Sequence, residues 1–394
     1  MLAASAKGLV KWGFYWAKRM NLRWVDFGDR RTAVITRFHS VSDERSGNYL
    51  YVEPAVSVPP RAFERQIAFL AQRYRCLSMD DLLEALESGR ALPRNAVVVT
   101  FDDGYRDNYE FAYPVLRRYG VPAIFYLATG CIDGGAPLWP SEVRYLVYSA
   151  EGPKFWAALS GREHDISSRS KKEEVIREIK KQLVSLPCKE REDALGELRA
   201  GSKADPAFLK GRMLTWKEVK EMRRGGMHFG AHTVSHPLLP KMPLEEAREE
   251  IVASKAELEV HLKAPVYHFS YPNPGGGVHA NAAVKQLVME SGYLTAVTSR
   301  PGYVTVGDDR LDLPRVGVGY TPWGMPWYLE KEALVTAFSR SGRSGGRMSE
   351  DTLTSSVRQR DCPPPDRTNS GPGGVGGSFR AETANHPKTG EKAP

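Results

Sequence analysis

From residue 31 onward, short runs that are apolar on both faces alternate with longer stretches of helical period. RTAVITRF (31–38), AVVVTF (96–101), VPAIFYLA (121–128) and MHFGA (227–231) read as strands, because β-branched and aromatic residues suit a pleated surface. Residues 61–70, 79–88, 109–119, 245–262 and 284–291 read as helices. Strands without a polar face, separated by helices, imply a parallel sheet covered by helices. The number of such units favours a barrel over an open sheet, although periodicity alone does not close the ring.

Two regions break this rhythm. Between residues 139 and 214 the pattern becomes charged and helical, above all over 171–199, and reads as a helical insertion; it is either a solvated excursion or, placed after a strand's C-terminal end, a lid or substrate wall. Residues 341–394 hold nine Gly, six Pro and seven Ser with almost no large apolar side chain, the composition of a disordered tail. The domain reading is therefore an N-terminal segment (1–30), a barrel built from 31–138 and 215–340, the insertion, and the tail.

Within 1–30, Leu9, Trp12, Trp16 and Met20 share one helical face and Lys7, Lys11 and Lys18 the other. That is the pattern of a helix lying on a membrane surface, or equally of one docked on the protein's own core. The lysines interrupt any uninterrupted apolar core of a secretory signal, so the expected location is cytoplasmic, with residues 7–20 as a peripheral contact at the inner membrane. No run approaches the roughly 20 apolar residues of a spanning helix.

Composition narrows the function classes. Of 394 residues 41% are hydrophobic, enough for a large core. The net charge of +8 is spread without a long basic run, so no nucleic-acid partner is expected. The four cysteines, Cys76, Cys131, Cys188 and Cys362, form no CxxC and suggest no disulfide framework.

Candidate chemistry begins at Thr100-Phe101-Asp102-Asp103-Gly104, directly after a strand. Two carboxylates at a strand's C-terminal end sit where barrel enzymes keep their reacting groups, and Gly104 permits a tight exit; a turn at that point can aim one at a metal and the other at a water. The second signal is His232-Thr233-Val234-Ser235-His236, whose histidines at i and i+4 share one side of a helical turn and can ligate one ion. Asp103, His232 and His236 would form a two-His, one-carboxylate set with open positions, suited to zinc first and to iron, cobalt or nickel as well.

TFDDG, then a strand, then GAHTVSH, then a Tyr-Pro turn resembles the polysaccharide deacetylases of carbohydrate esterase family 4, the NodB-homology family, over roughly residues 31–320. The resemblance implies a distorted (β/α)7 barrel and a metal-dependent hydrolase that removes the acetyl group of an N-acetylated sugar in a polysaccharide or glycan precursor. It also implies that Asp102 is the general base and that Asp103, His232 and His236 hold the metal. The family's third motif carries an Arg and a Pro-Tyr; the matching stretch here, Phe269-Ser270-Tyr271-Pro272-Asn273-Pro274, lacks the Arg and has Asn273 at the oxyanion-binding position, where a backbone N–H suffices. Arg315 is the candidate replacement for that Arg. The family's acid histidine has no counterpart late in the barrel, but His39, ending the first strand, matches the permuted branch that includes the poly-N-acetylglucosamine deacetylases. A base and an acid on opposite sides of the scissile bond imply a bell-shaped pH–rate profile. Tyr271 and Trp139 are expected substrate contacts, with core packing as the alternative for Trp139, while His228, His261, His268 and His279 read as structural. Hydrolysis of another linear or cyclic amide, or a non-catalytic carbohydrate-binding scaffold, are the rival functions.

Overall fold

The computed structural model describes residues 32–43, 50–273 and 280–319. The N-terminal segment, the membrane contact through residues 7–20, the tail and His279 lie outside the described residues. Among those described, no helix is long and apolar enough to cross a membrane.

Eleven strands occur in the described residues: β1 (Thr32–Phe38), β2 (Arg75–Leu77), β3 (Ala96–Phe101), β4 (Ala123–Leu127), β5 (Lys154–Ala157), β6 (Arg162–Asp165), β7 (His228–Ala231), β8 (His268–Ser270), β9 (Thr295–Val297), β10 (Val304–Thr305) and β11 (Val316–Gly317). β1, β3, β4, β7, β8 and β9 are hydrogen-bonded neighbours in that order, all parallel. Residues 313–318 close the ring. Leu313 exchanges backbone hydrogen bonds with the β9 edge (to Ala296 O and from Thr298 N–H, both 2.9 Å), and β11 pairs in parallel with β1 at Thr36 and Arg37. With that segment as the seventh stave, the fold is the distorted (β/α)7 barrel. The distortion is visible at β3, whose first half neighbours β2 and whose second half neighbours β4.

Strand alternation sorts the core into two layers. Ala33, Ile35, Val98, Ile124, Tyr126, Val297 and Leu313 face inward, with Met79 and Leu82 of the helix Met79–Ser88 packed beneath them. That helix is tied to the barrel floor by Asp80, which meets His228 at 3.1 Å and His268 at 2.9 Å, at the starts of β7 and β8. His261 stacks on Trp216. These three histidines are structural.

The outward layer contains a register-matched aromatic row, Phe38, Phe101, Phe125 and Phe229, on four adjacent strands. Successive ring centroids lie 5.2, 4.6 and 5.8 Å apart. Each such pair contributes about 0.5–1.5 kcal/mol beyond its buried area, which fixes the strand ends against sliding.

Inside the ring, Gly230 has no room for a side chain: an added Cβ would lie 2.6 Å from His268 O and from the Tyr126 ring. Gly230→Ala should therefore lower stability by about 1–3 kcal/mol, read as a shift in denaturant midpoint; an unchanged midpoint would mean that β7 and β8 can separate without cost.

Residues 139–200 fold into the helices Trp139–Ser149, Arg169–Leu183 and Cys188–Ala200 around the β5–β6 hairpin. The expected charged helix over 171–199 is broken ahead of Pro187, which cannot donate to a continuing helix. The segment is more than a solvated excursion, for Val143, Leu146, Phe155, Ile176, Ile179, Leu195 and Leu198 form a core of its own.

Candidate metal centre and catalytic site

The two aspartates separate because the chain turns sharply between them. Asp102 still belongs to the ladder, its N–H bonding Phe38 O at 3.0 Å, whereas Asp103 and Gly104 adopt φ 77° and 88°. Aspartate tolerates this left-handed region better than most residues. Glycine is required next: besides its φ, an added Cβ would lie 3.0 Å from Leu127 and 3.1 Å from Ile132.

The histidine pair is presented by a loop, not by the helical turn that its spacing suggested. Thr233 and His236 both have positive φ, 66° and 58°, and Thr233 Oγ1 accepts the His236 N–H at 3.1 Å. A spacing of four is compatible with either shape; here the threonine hydroxyl replaces the helical hydrogen bond. A β-branched residue in this conformation costs about 1–3 kcal/mol, an expense that the surroundings must offset.

Asp103 Oδ1 lies 3.5 Å from His232 Nε2 and 3.3 Å from His236 Nε2, with all three residues buried. Ligand bonds of about 2.0–2.1 Å in a tetrahedron place neighbouring ligand atoms roughly 3.3–3.4 Å apart, so the spacing fits a metal of that kind. Asp103 Oδ1 is buried and accepts no hydrogen bond, a cost that a cation would remove. His232 Nδ1 meets Ser270 O at 2.7 Å; its N–H donates there and leaves the Nε2 lone pair for the ion. Burial pushes the His236 pKa down against the pull of Asp103, favouring the neutral ring that coordination needs. Burial alone would raise the Asp103 carboxyl, but the facing imidazoles more than offset this and hold it well below the usual range.

Beside this triad, Arg315 grips Asp102 in a fork: Nη1 donates to Oδ1 at 2.7 Å and Nη2 to Oδ2 at 2.6 Å. Its other N–H groups donate to Thr298 O (2.8 Å), Thr100 Oγ1 (3.1 Å) and Ser270 Oγ (3.1 Å), satisfying all five donors of a buried guanidinium. Burial works to raise the Asp102 pKa, and Arg315 holds it well below the carboxylate norm instead.

His39 places Nε2 4.0 Å from Asp102 Oδ2. Its carbonyl accepts from Asn108 Nδ2 at 2.7 Å, and the following Ser40 hydroxyl and Val41 N–H bind Asp107 at 2.5 and 3.1 Å. Burial lowers the imidazole pKa to about 4, against the attraction of Asp103 and Asp102.

Two expected substrate contacts are corrected. Tyr271 is wholly buried, packed on Phe269 with its hydroxyl bonded to Leu311 O at 3.0 Å, because the outward side of β8 points it into the helix layer. Trp139 is also buried; its indole N–H donates to His236 O at 3.0 Å, bracing the histidine loop from behind. Asn273 lies at the edge of the described residues, half-buried just beyond β8. Sequence reasoning missed Ser270, Asp107, Asn108 and Glu250. Asp107 and Asn108 follow TFDDG within a few residues and Ser270 lies within the third-motif stretch, so all three were open to notice there; Glu250 carries no motif of its own.

A family model described as Polysaccharide deacetylase matches residues 89–186 and 196–295. His39 and Arg315 fall outside both stretches, so their place beside Asp102 comes from the structure. YxkH of Bacillus subtilis is 33% identical over 105 residues, 26% of this chain and 34% of that protein. The poly-β-1,6-N-acetyl-D-glucosamine N-deacetylase of Escherichia coli K12 is 34% identical over 101 residues, 25% of this chain and 14% of that protein. The alignments thus span only a minor part of each relative. The deacetylase PplD of Streptococcus pyogenes, solved with acetate, shares the fold at a TM-score of 0.50 and 21% identity, over 76% of this chain and 97% of that one.

Proposed function

The chain belongs to the polysaccharide deacetylase family, and from that premise we propose that it is a metal-dependent hydrolase removing acetyl groups from an N-acetylated glycan, with N-acetylglucosamine polymers as the first substrate class. One observation carries the reading: Asp103, His232 and His236 converge within 4.8 Å of one another, and Asp102, fixed by Arg315, adjoins Asp103. The donor set favours zinc and also accommodates cobalt, iron(II) or nickel.

A divalent cation in the triad would supply Lewis acidity, polarising the amide carbonyl and lowering the pKa of a water. Asp102 stays ionised and takes the proton that the attacking water loses. His39, neutral at neutral pH, can receive it and deliver it to the departing amine. The 4.0 Å between Nε2 and Oδ2 closes to hydrogen-bond length with a movement of about an ångström, as acid–base pairs do when substrate binds. Arg315 holds both Asp102 oxygens in place, and the N–H of Asn273 is the remaining candidate donor to the developing oxyanion.

The test is acetate release from poly-β-1,6-N-acetylglucosamine and other N-acetylated glycans. A chelator should abolish release, and zinc or cobalt should restore it. Turnover that survives complete metal removal overturns the reading, as does an absence of acetate from every glycan when metal is bound.

A further inference from the structure

The loop carrying His232 and His236 is held by groups that the reaction does not itself use. Glu250, on the helix Leu244–Leu262, accepts the N–H of Val234 at 2.8 Å, the N–H of Ser235 at 2.9 Å and the Ser235 hydroxyl at 2.6 Å. From the helix Cys188–Ala200, Arg191 Nη2 donates to that same hydroxyl at 3.2 Å and to Cys188 Sγ at 3.3 Å. Its guanidinium also sits 5.5 Å from the ring centroid of Trp139, whose indole holds His236 O.

Arg191 is buried, at 4% exposure, and faces neutral acceptors. Its charge is answered through two intermediaries: the Ser235 hydroxyl accepts from Arg191 and donates to Glu250, and Cys188 Sγ accepts from Arg191 and lies 3.9 Å from Glu250 Oε1. Cation, hydroxyl and carboxylate thus form a chain from the helical segment to the barrel's helix layer, and its middle member lies between the two metal-binding histidines. A loop with Thr233 and His236 at positive φ would not keep this shape unaided. A carboxylate fixing two successive N–H groups, with an arginine locking the hydroxyl, supplies the restraint.

We propose that Arg191, Ser235 and Glu250 are a positioning relay that couples residues 188–200 to the cation site, setting its metal affinity. The relay rests on the metal reading of Asp103, His232 and His236. By linkage the effect is reciprocal: an ion that orders the loop also tightens the helix Cys188–Ala200.

The experiment uses the full chain with cobalt(II) as probe, comparing wild type with Ser235→Ala, Arg191→Met and the double variant. The dissociation constant is measured by chelator competition, the ligand geometry by the visible cobalt spectrum, and the helix by amide hydrogen exchange. Each single variant should weaken cobalt binding ten- to a hundredfold and alter the spectrum. The double variant should be no weaker than the worse single one, because both changes cut the same chain. Cobalt should raise protection over 188–200 in wild type and not in Ser235→Ala. Should Arg191→Met fail to fold, Ser235→Ala, which removes one oxygen, decides alone. Affinity within about twofold of wild type in Ser235→Ala, or cobalt-induced protection that persists there, overturns the relay. A wild type that binds no cobalt overturns the metal reading itself, and that result is distinct from either.

Discussion

Asp102→Asn should lower kcat/KM for acetate release by about 10²–10⁴-fold, the usual contribution of a positioned proton acceptor. The substitution keeps the shape that Arg315 grips and removes the capacity to take a proton. Metal content should stay at the wild-type level, since the ligands are Asp103, His232 and His236. That combination separates a base from a ligand: lost activity with retained metal supports the proton role, whereas lost metal would mean that Asp102 belongs to the coordination set. Activity within a few-fold of wild type would end the proposed role altogether.

Arg315→Met should be the most damaging single change to the fold. It leaves the Asp102 carboxylate buried, at 3% exposure, without the guanidinium that answers it. Removing one partner of such a pair costs about 3–5 kcal/mol. The pH dependence gives a sharper signature. In wild type the Asp102 pKa is held below its unfolded value, so the pair's contribution is present above about pH 4 and is lost as pH falls through the folded value. In Arg315→Met, burial loses its largest opponent, with His232 and His39 remaining, so that pKa rises and Asp102 contributes less stability above about pH 4 than in wild type. The gap between the two proteins, measured by denaturant unfolding across pH, should widen from acid to neutral. A constant gap would show that the two side chains are not electrostatically paired.

What could be read from residues alone depended on how local the cause was. β3 and the helix Met79–Ser88 fall where the pattern puts them, because burial on both strand faces and the Ser78–Asp81 capping box are local facts. TFDDG and GAHTVSH were legible as chemistry only as a pair in that order, since DDG alone is a common turn and two histidines four apart also suit a capped turn. The shape of the histidine loop was not, since a helical turn and a hydroxyl-stapled loop show the same interval. Tyr271 misled because an aromatic side chain does not announce which side of its element it occupies, whereas for Trp139 the packing alternative is the one the structure shows. β8 and β9, at three residues each, are too short to carry a period. Arg315 could be named as a candidate, but its fork on Asp102 depends on ring closure, which no local pattern encodes.

That closure has a consequence for the order of events during synthesis. Asp102 and Arg315 are separated by 213 positions in the chain. At ordinary elongation rates, roughly 10–40 s pass between their emergence from the ribosome. Throughout that interval the nascent barrel has a missing stave, and Asp102 lacks the guanidinium fork that holds both its oxygens. The final stave therefore works as a latch: the segment that closes the ring is also the one that completes the ion pair. A nascent chain stalled before residue 315 should remain open to protease at the β1 edge even after the remaining staves have formed.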